Sequence, residues 1–301
     1  MGQRPTDEQL ERRLVDVMSF MFLFRFVTNK DLGILGSSLL GVNDMRPTLQ
    51  LLLKRRWIAS FKITVPAQVV GYYLLKEGLA KLPEAYSGYR YYFAPTRYKR
   101  STFYHLAGIT EVFLVIKKMA PKGAFWLSEW MVRQRKVRGI KDKILTKQLA
   151  WRKKGVYGGR LPDALFVVNK KARIAIEYES TRKNNDNWER MIKGLEDGLR
   201  LKEKIELATL DTELKRDFEA VLFVFNDQIS FISYLRKFGK SSKVETEGTL
   251  DFGLLKGPVS LKRYFLGTLD ELKKGHVFKT NGGQIAISGM FNFVENGAVD
   301  N

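Results

Sequence analysis

The chain has 301 residues and a formal net charge of +20, with 52 Lys and Arg against 32 Asp and Glu. This positive excess favours a polyanionic partner, with nucleic acid as the leading candidate, and the length is sufficient for about two domains. The absence of cysteine excludes disulfides, thiol nucleophiles and cysteine-ligated zinc, and two histidines are too few for a histidine-rich metal site.

No run of about 18 apolar residues is present to cross a membrane. The polar segment 1–13 also lacks the layout of a secretory signal. We therefore expect a cytoplasmic protein without a membrane span, and an anionic membrane surface is a weaker alternative partner than nucleic acid.

Two helices are predicted near the N-terminus. Residues 8–26 carry a helical stripe of apolar side chains that broadens towards its end, which indicates a buried helix. Thr28 then stands three residues before Asp31, in the arrangement of a capping box. This spacing predicts a short second helix over residues 29–35.

A third helix and two strands follow. Asn43 or Asp44 can cap the helix, and Pro47 lies in its first turn, where a missing N–H costs little. The β-rich segments 57–63 and 69–75 predict a hairpin whose connecting loop is the candidate wing. The order of three helices and a hairpin over residues 8–85 resembles winged helix-turn-helix proteins that bind DNA.

The winged-helix resemblance implies a recognition helix in the major groove. The residues expected to reach bases and phosphates are Asn43, Arg46, Thr48, Gln50, Lys54 and Arg55, with Lys62 on the wing. Two alternatives stay open. A winged helix can serve dimerisation or protein docking, and the basic run that ends the helix can simply complement its dipole.

Residues 86–100 alternate tyrosines and Phe93 with arginine and lysine, and we expect a linker here. Aromatic rings beside cations suit single-stranded nucleic acid, because bases stack on rings while cations meet phosphates. The alternative, which we favour slightly, is that these rings cement two domains together.

A second domain is expected over residues 101–275. Ser101 or Thr102 can cap a helix over 103–119, and residues 125–130 predict the first strand of a sheet. Ten Lys and Arg stand between residues 131 and 155 against one Asp, which indicates a basic loop that grips a phosphate backbone or a solvated insertion. The basic residues proposed to contact DNA there are Arg133, Arg135, Lys136 and Arg138.

Two carboxylates are predicted to meet at one end of this sheet. Asp163 precedes an apolar strand, residues 169–172 form a polar turn, and Glu177 ends the next strand. A hairpin would bring the two side chains together. Paired carboxylates of this kind hold hard divalent cations such as Mg²⁺ or Mn²⁺, which in a basic chain suggests metal-assisted phosphodiester chemistry.

The segments Pro162-Asp163 and Glu177-Tyr178-Glu179 resemble the signature of the PD-(D/E)XK nuclease superfamily. That resemblance implies Asp163 and Glu177 as catalytic metal ligands and Glu111, on the first helix, as a third ligand. Glu179 occupies the position of the superfamily lysine, and Lys183 or Lys193 could supply the charge from another backbone position. The alternative is a metal-free remnant whose carboxylates pair with nearby Arg or Lys.

The remaining elements complete the order of a restriction-endonuclease-like core. We predict a helix over 186–205, a strand over 220–225, a helix over 229–238 and a last strand over 264–268. Residues 276–301 are expected to be a C-terminal tail. The expected fold is therefore α/β (α+β), with an N-terminal winged helix and a mixed-sheet domain.

The whole layout resembles the replication-relaxation family. The residues that carry the resemblance are His105 to Val112, Pro162 to Ala164, Glu177 to Thr181, and Lys183. It implies a DNA-binding protein of a plasmid or mobile element, acting in DNA relaxation, replication or mobilisation. A targeted metal-dependent endonuclease and a transcriptional regulator are the alternatives. Further candidate partners are single-stranded DNA, a relaxase or replication protein, and a second copy of the chain.

Overall fold

The computed structural model describes residues 6–63, 69–86, 89, 91, 93–134, 161–168, 172–180, 185–199, 218–240, 250–251, 258–259, 263–279 and 283–295. These residues form two compact units, and the division between them falls after Leu114. Both units combine helices with β-structure, and the larger sheet mixes parallel and antiparallel strands. The expected mixed α/β class is therefore confirmed.

The first unit combines several helices with a small antiparallel sheet. Its elements are α1 (Asp7–Phe24), β1 (Val27–Thr28), α2 (Asn29–Leu35), a π-helical turn (Gly36–Leu40), α3 (Arg46–Lys54), β2 (Ile58–Ile63), β3 (Val69–Leu74) and α4 (Lys76–Leu79). The sheet order is β1-β3-β2. The predicted hairpin of β2 and β3 is present. The two-residue strand β1 was not expected, because so short a segment carries no sequence pattern that predicts a strand.

Local capping chemistry sets where α2 begins. The backbone N–H of Asp31 donates to the Thr28 hydroxyl, and the Asp31 carboxylate accepts from the backbone N–H of Thr28 at 2.8 Å. The predicted capping box is confirmed. At α3 the expectation was wrong, because the residue at the cap position is Met45, which makes no side-chain cap bond. The carboxylate of Asp44 instead accepts from the backbone and side chain of Arg46.

The described rings of the segment expected to be a linker, residues 86–100, pack within the first unit, which corrects that expectation. Tyr86 lies 4.7 Å from the ring of Phe22, and Phe93 stacks on Phe26 at 5.5 Å. Burial raises the pKa of Tyr89 to about 12. These contacts bury apolar ring surface against Phe22 of α1 and against Phe26.

The second unit is built on one mixed sheet, and the division between the units falls within α5 (Arg100–Met119). Its elements are β4 (Phe125–Ser128), α6 (Glu129–Gln134), β5 (Ala164–Val167), β6 (Arg173–Glu179), α7 (Asn185–Leu199), β7 (Ala220–Phe225), α8 (Gln228–Lys240), β10 (Tyr264–Thr268), α9 (Leu269–Lys273), β11 (His276–Lys279), β12 (Gly283–Ala286) and α10 (Ile287–Glu295). A separate pair joins β8 (Leu250–Asp251) to β9 (Pro258–Val259).

The strand order of the large sheet is β12-β11-β10-β7-β6-β5-β4. Strands β6, β7 and β10 run parallel to one another, and the other neighbours are antiparallel. The central strands are buried along their whole length, as expected when helices cover both faces. On one face α7 packs Trp188 against Phe223 at 5.5 Å. On the other face α10 packs Phe291 against Phe166 at 5.8 Å.

Two predicted boundaries of this unit were wrong. The first strand ends at Ser128, and Glu129 and Trp130 already belong to α6. The segment expected to be a tail forms a hairpin and a helix as far as Glu295. Apolar side chains at helical spacing bury one side of α10, at Ile287, Met290, Phe291 and Val294.

Within the described part of the chain, no helix combines the length and the apolar character needed to cross a membrane.

Candidate nucleic-acid interface and carboxylate cluster

Helix α3 has one buried side and one exposed side. Met45, Leu49 and Leu52 are buried, and they recur at the spacing of a helix face. The opposite side presents a guanidinium, an amide and an ammonium group one turn apart, on Arg46, Gln50 and Lys54. We call this exposed side, together with the partly exposed Leu53, the α3 face.

Thr48 does not belong to the α3 face, which corrects the expected set of DNA contacts. Its side chain is only 2% exposed. Thr48 precedes Leu52 by one turn and follows Met45 by three positions, so it lies on the buried side. The helical spacing of Thr48 from Met45 and Leu52 was the signal in the sequence that could have indicated this orientation.

Arg46 is held by Asp44 at the start of α3. Nε of Arg46 donates to Asp44 Oδ1 at 2.9 Å, and Nη2 donates to Oδ2 at 2.9 Å. The backbone N–H of Arg46 also donates to Oδ1. These hydrogen bonds from Arg46 lower the pKa of Asp44, and the pair lies in solvent with 85% of the arginine side chain exposed.

Arg55 has structural contacts that set it apart from the α3 face. Its Nη1 forms an ion pair with Glu11 of α1 at 2.6 Å. Its guanidinium carbon also lies 4.7 Å from the centroid of the Trp57 ring. These two contacts connect the end of α3 to α1 and to the start of the hairpin, so a structural role competes with the predicted DNA contact.

The other predicted DNA contacts are distributed differently. Asn43 is exposed before α3, and Lys62 is exposed on β2, where polar and half-buried residues alternate. The tip of the predicted wing, residues 64–68, lies outside the described residues. The same holds for the side chain of Arg133 and for the predicted contacts Arg135, Lys136 and Arg138.

The three predicted carboxylates of the second unit lie on one face of its sheet. The hairpin of β5 and β6 pairs Ala164 with Ile176, so the next step of the register sets Asp163 opposite Glu177. Directly opposite residues share a face, and Glu179 shares it too, two positions further along β6. We call Asp163, Glu177 and Glu179 the carboxylate cluster.

The carboxylate cluster is buried. Glu177 is 1% exposed and Glu179 is 2% exposed, and Oδ2 of Asp163 accepts a hydrogen bond from the backbone N–H of Tyr178 at 2.8 Å. The neighbouring strand β7 places Phe223 and Phe225 beside the two glutamates. Anions in such surroundings are costly unless a proton or a cation balances them.

Lys193, one of the two lysines proposed to replace the superfamily lysine, faces away from the core. Lys193 is exposed on the side of α7 opposite the buried stripe of Trp188, Ile192 and Leu195. That orientation is a correction, because the stripe that covers the sheet leaves Lys193 facing solvent. Lys183 lies outside the described residues.

Glu111 is engaged within the first unit. Its Oε2 accepts a hydrogen bond from Nζ of Lys30 at 3.0 Å, which joins α5 to α2. Among the residues that the structure describes, no group of three or more His, Asp or Glu side chains could hold a metal ion. Glu111 belongs to the first unit and Asp163 and Glu177 belong to the second, so the predicted set of three ligands is divided between the two units.

Asp44 has a role that sequence reasoning missed. It was considered only as a helix cap, whereas it binds the guanidinium of Arg46 through both oxygens. The Asp-x-Arg spacing at the start of a helix was the signal that could have indicated this pair.

Comparison of the chain with protein-family models, with curated proteins and with solved structures found no match. The resemblance to replication-relaxation proteins therefore stays a prediction from the motifs.

Proposed function

We propose that this protein binds a specific site on duplex DNA through the α3 face of its first unit. The observation that carries the proposal is the exposed row of Arg46, Gln50 and Lys54 on a helix whose other side is buried. Arginine recognises guanine, glutamine recognises adenine, and lysine binds phosphate. The row therefore carries hydrogen-bonding groups that match those of the major groove.

The arrangement of the first unit supports a winged helix. Its elements follow the order α1, β1, α2, α3, β2, β3, and β3 lies between β1 and β2 in the sheet. In this class of fold the recognition helix precedes a hairpin, whose loop forms the wing. Lys62, near that loop on β2, is then a phosphate contact.

The formal net charge of +20 attracts the protein to DNA over a long range, which supports this mode of binding. We further propose the cellular role that the motifs imply, in which the protein organises a site for DNA relaxation, replication or mobilisation of a plasmid or mobile element. A relaxase, a replication protein or a second copy of the chain is the partner class that such a role needs.

The test compares duplex binding by the wild type and by the double variant Gln50→Ala/Lys54→Ala. Loss of two α3 contacts should weaken binding on the order of tenfold or more. Lys122→Ala is the matched control for charge, because Lys122 is exposed in the second unit. Equal weakening by Lys122→Ala, or undiminished binding by the double variant, would place the interface elsewhere.

A metal-dependent endonuclease of the PD-(D/E)XK type is the second candidate. The carboxylate cluster favours it, because Asp163, Glu177 and Glu179 lie on one face of the sheet, with the residue types and the placement that the superfamily motif predicts. The order helix, strand, hairpin, helix, strand in the second unit supports the same fold. Glu179 argues for weak or absent cleavage, since its negative charge opposes an attacking hydroxide.

The endonuclease is tested by incubating supercoiled and single-stranded DNA with Mg²⁺ or Mn²⁺. We expect little nicking by the wild type and no change on Asp163→Asn, which keeps an acceptor for the Tyr178 N–H. Robust nicking by the wild type that Asp163→Asn abolishes would put the endonuclease ahead of the DNA-organising role.

A further inference from the structure

The carboxylate of Asp44 binds the guanidinium of Arg46 along the edge formed by Nε and Nη2, and the outer end of the guanidinium faces away from Asp44. Nε and Nη2 face the carboxylate, at 2.9 Å from Oδ1 and 2.9 Å from Oδ2. A guanidinium has five N–H donors in a fixed plane, so both donors of Nη1 and one donor of Nη2 point away from Asp44. Of these, one donor of Nη1 and the free donor of Nη2 are parallel and form a fork at the exposed end of the side chain.

We infer, on the basis of the proposed duplex binding, that Arg46 reads one guanine in the major groove and that Asp44 is its positioning residue. The open fork of Nη1 and Nη2 matches the O6 and N7 acceptors of guanine. Arg46 is the first residue of α3, and the first residues of a recognition helix are those that reach base edges.

Asp44 also decides between a base and a phosphate as the target of Arg46. A phosphate is an anion, and the Asp44 carboxylate would repel it at close range. The edge of a guanine is uncharged, so the pair can approach it without that repulsion. Holding the guanidinium in advance also reduces the side-chain entropy lost on binding.

The experiment first selects preferred duplexes with the wild type from a pool of oligonucleotides with a randomised centre. Binding is then measured on the preferred duplex and on versions in which each guanine is replaced in turn. We expect one guanine whose replacement weakens wild-type binding on the order of tenfold or more. Arg46→Ala should lose discrimination at that guanine alone.

Asp44→Asn separates positioning from a merely structural role. It removes a negative charge but retains an oxygen that can accept from the backbone N–H of Arg46. We expect discrimination at the same guanine to fall while affinity for unrelated duplexes is unchanged or higher. Lys54→Ala should instead weaken binding to all sequences alike.

Duplex binding with an unchanged base preference in both Asp44→Asn and Arg46→Ala would overturn this inference and leave the proposed function standing. Failure of the wild type to bind any duplex in the pool would overturn both.

Discussion

At the scale of single residues, Gly33 and Gly78 lie in helices of the first unit but in opposite surroundings. A Cβ at Gly33 would meet nothing within 4 Å, whereas a Cβ at Gly78 would overlap the carbonyl oxygen of Trp57. That carbonyl cannot move freely, because it accepts a hydrogen bond from the backbone N–H of Leu75 at 2.9 Å. The same substitution should therefore have opposite effects at the two positions.

We expect Gly33→Ala to raise the free energy of unfolding by about 0.5–1 kcal/mol, since alanine restricts the unfolded chain and favours the helix. Gly78→Ala should lower it by about 1–3 kcal/mol through the forced backbone shift. Urea unfolding of the two variants beside the wild type measures both changes. A higher midpoint for Gly78→Ala would contradict the close contact with Trp57.

At the scale of elements, Asp227 follows the central strand β7 and caps the N-terminus of helix α8. Its Oδ1 accepts from the backbone N–H of Ser230 at 2.7 Å, and its Oδ2 accepts from the Ser230 hydroxyl. The hydrogen bond from the Ser230 backbone is the largest cause of a lowered pKa. A lowered pKa means that folding favours the charged form, so this stabilisation is present above the ordinary pKa of 3.8 and is lost as pH falls through the folded value.

Asp227→Ala should therefore lower the free energy of unfolding of the second unit by about 1 kcal/mol at neutral pH. Asp227→Asn is the matched control, because asparagine also caps helices but does not titrate. The difference in the free energy of unfolding between the wild type and Asp227→Ala should become smaller near pH 3. The difference between Asp227→Asn and Asp227→Ala should persist. Denaturant unfolding at the two pH values measures this, and a pH-independent gap for the wild type would exclude the charged cap.

At the scale of the whole molecule, the net charge of +20 should govern the salt dependence of DNA binding. Each neutralised phosphate releases condensed counterions, so the logarithm of the affinity falls linearly with the logarithm of the salt concentration, by about 0.9 per contact. Binding should weaken steeply between low and physiological salt. Titrations at several salt concentrations measure the slope.

Lys54→Ala should reduce that slope by about one phosphate contact. Lys122→Ala should leave it unchanged if the interface lies on the α3 face. Salt-independent association, or association with protein and not with duplex DNA, would favour the docking role of a winged helix instead.

Short-range patterns in the sequence were sufficient to predict several helices and strands. The spacing of Thr28 and Asp31 predicted where α2 begins, and the unbroken apolar run 220–225 predicted β7 residue by residue. The hairpin of β5 and β6 also followed from two β-rich runs and a polar turn. Capping bonds and strand preferences act between residues a few positions apart, so they can be read from the order of side chains alone.

Other features depended on partners far along the chain. Thr48 is buried because α3 turns that side towards the core, and Tyr86 and Phe93 pack on Phe22 and Phe26, about 65 positions earlier in the chain. Composition cannot distinguish rings that stack on bases from rings that stack on each other. Strands β11 and β12 and helix α10 likewise depend on the edge and the face of a sheet formed by earlier parts of the chain.

The sequence by itself therefore determined the mixed α/β class, the charge that favours a polyanion, and the residue types available for binding. Only the tertiary structure decided which of them face solvent: Arg46, Gln50 and Lys54 outward, Thr48 inward, and Lys193 on the outer side of α7. The physical reason is that orientation follows from packing between distant segments, whereas residue type and capping are properties of the local chain.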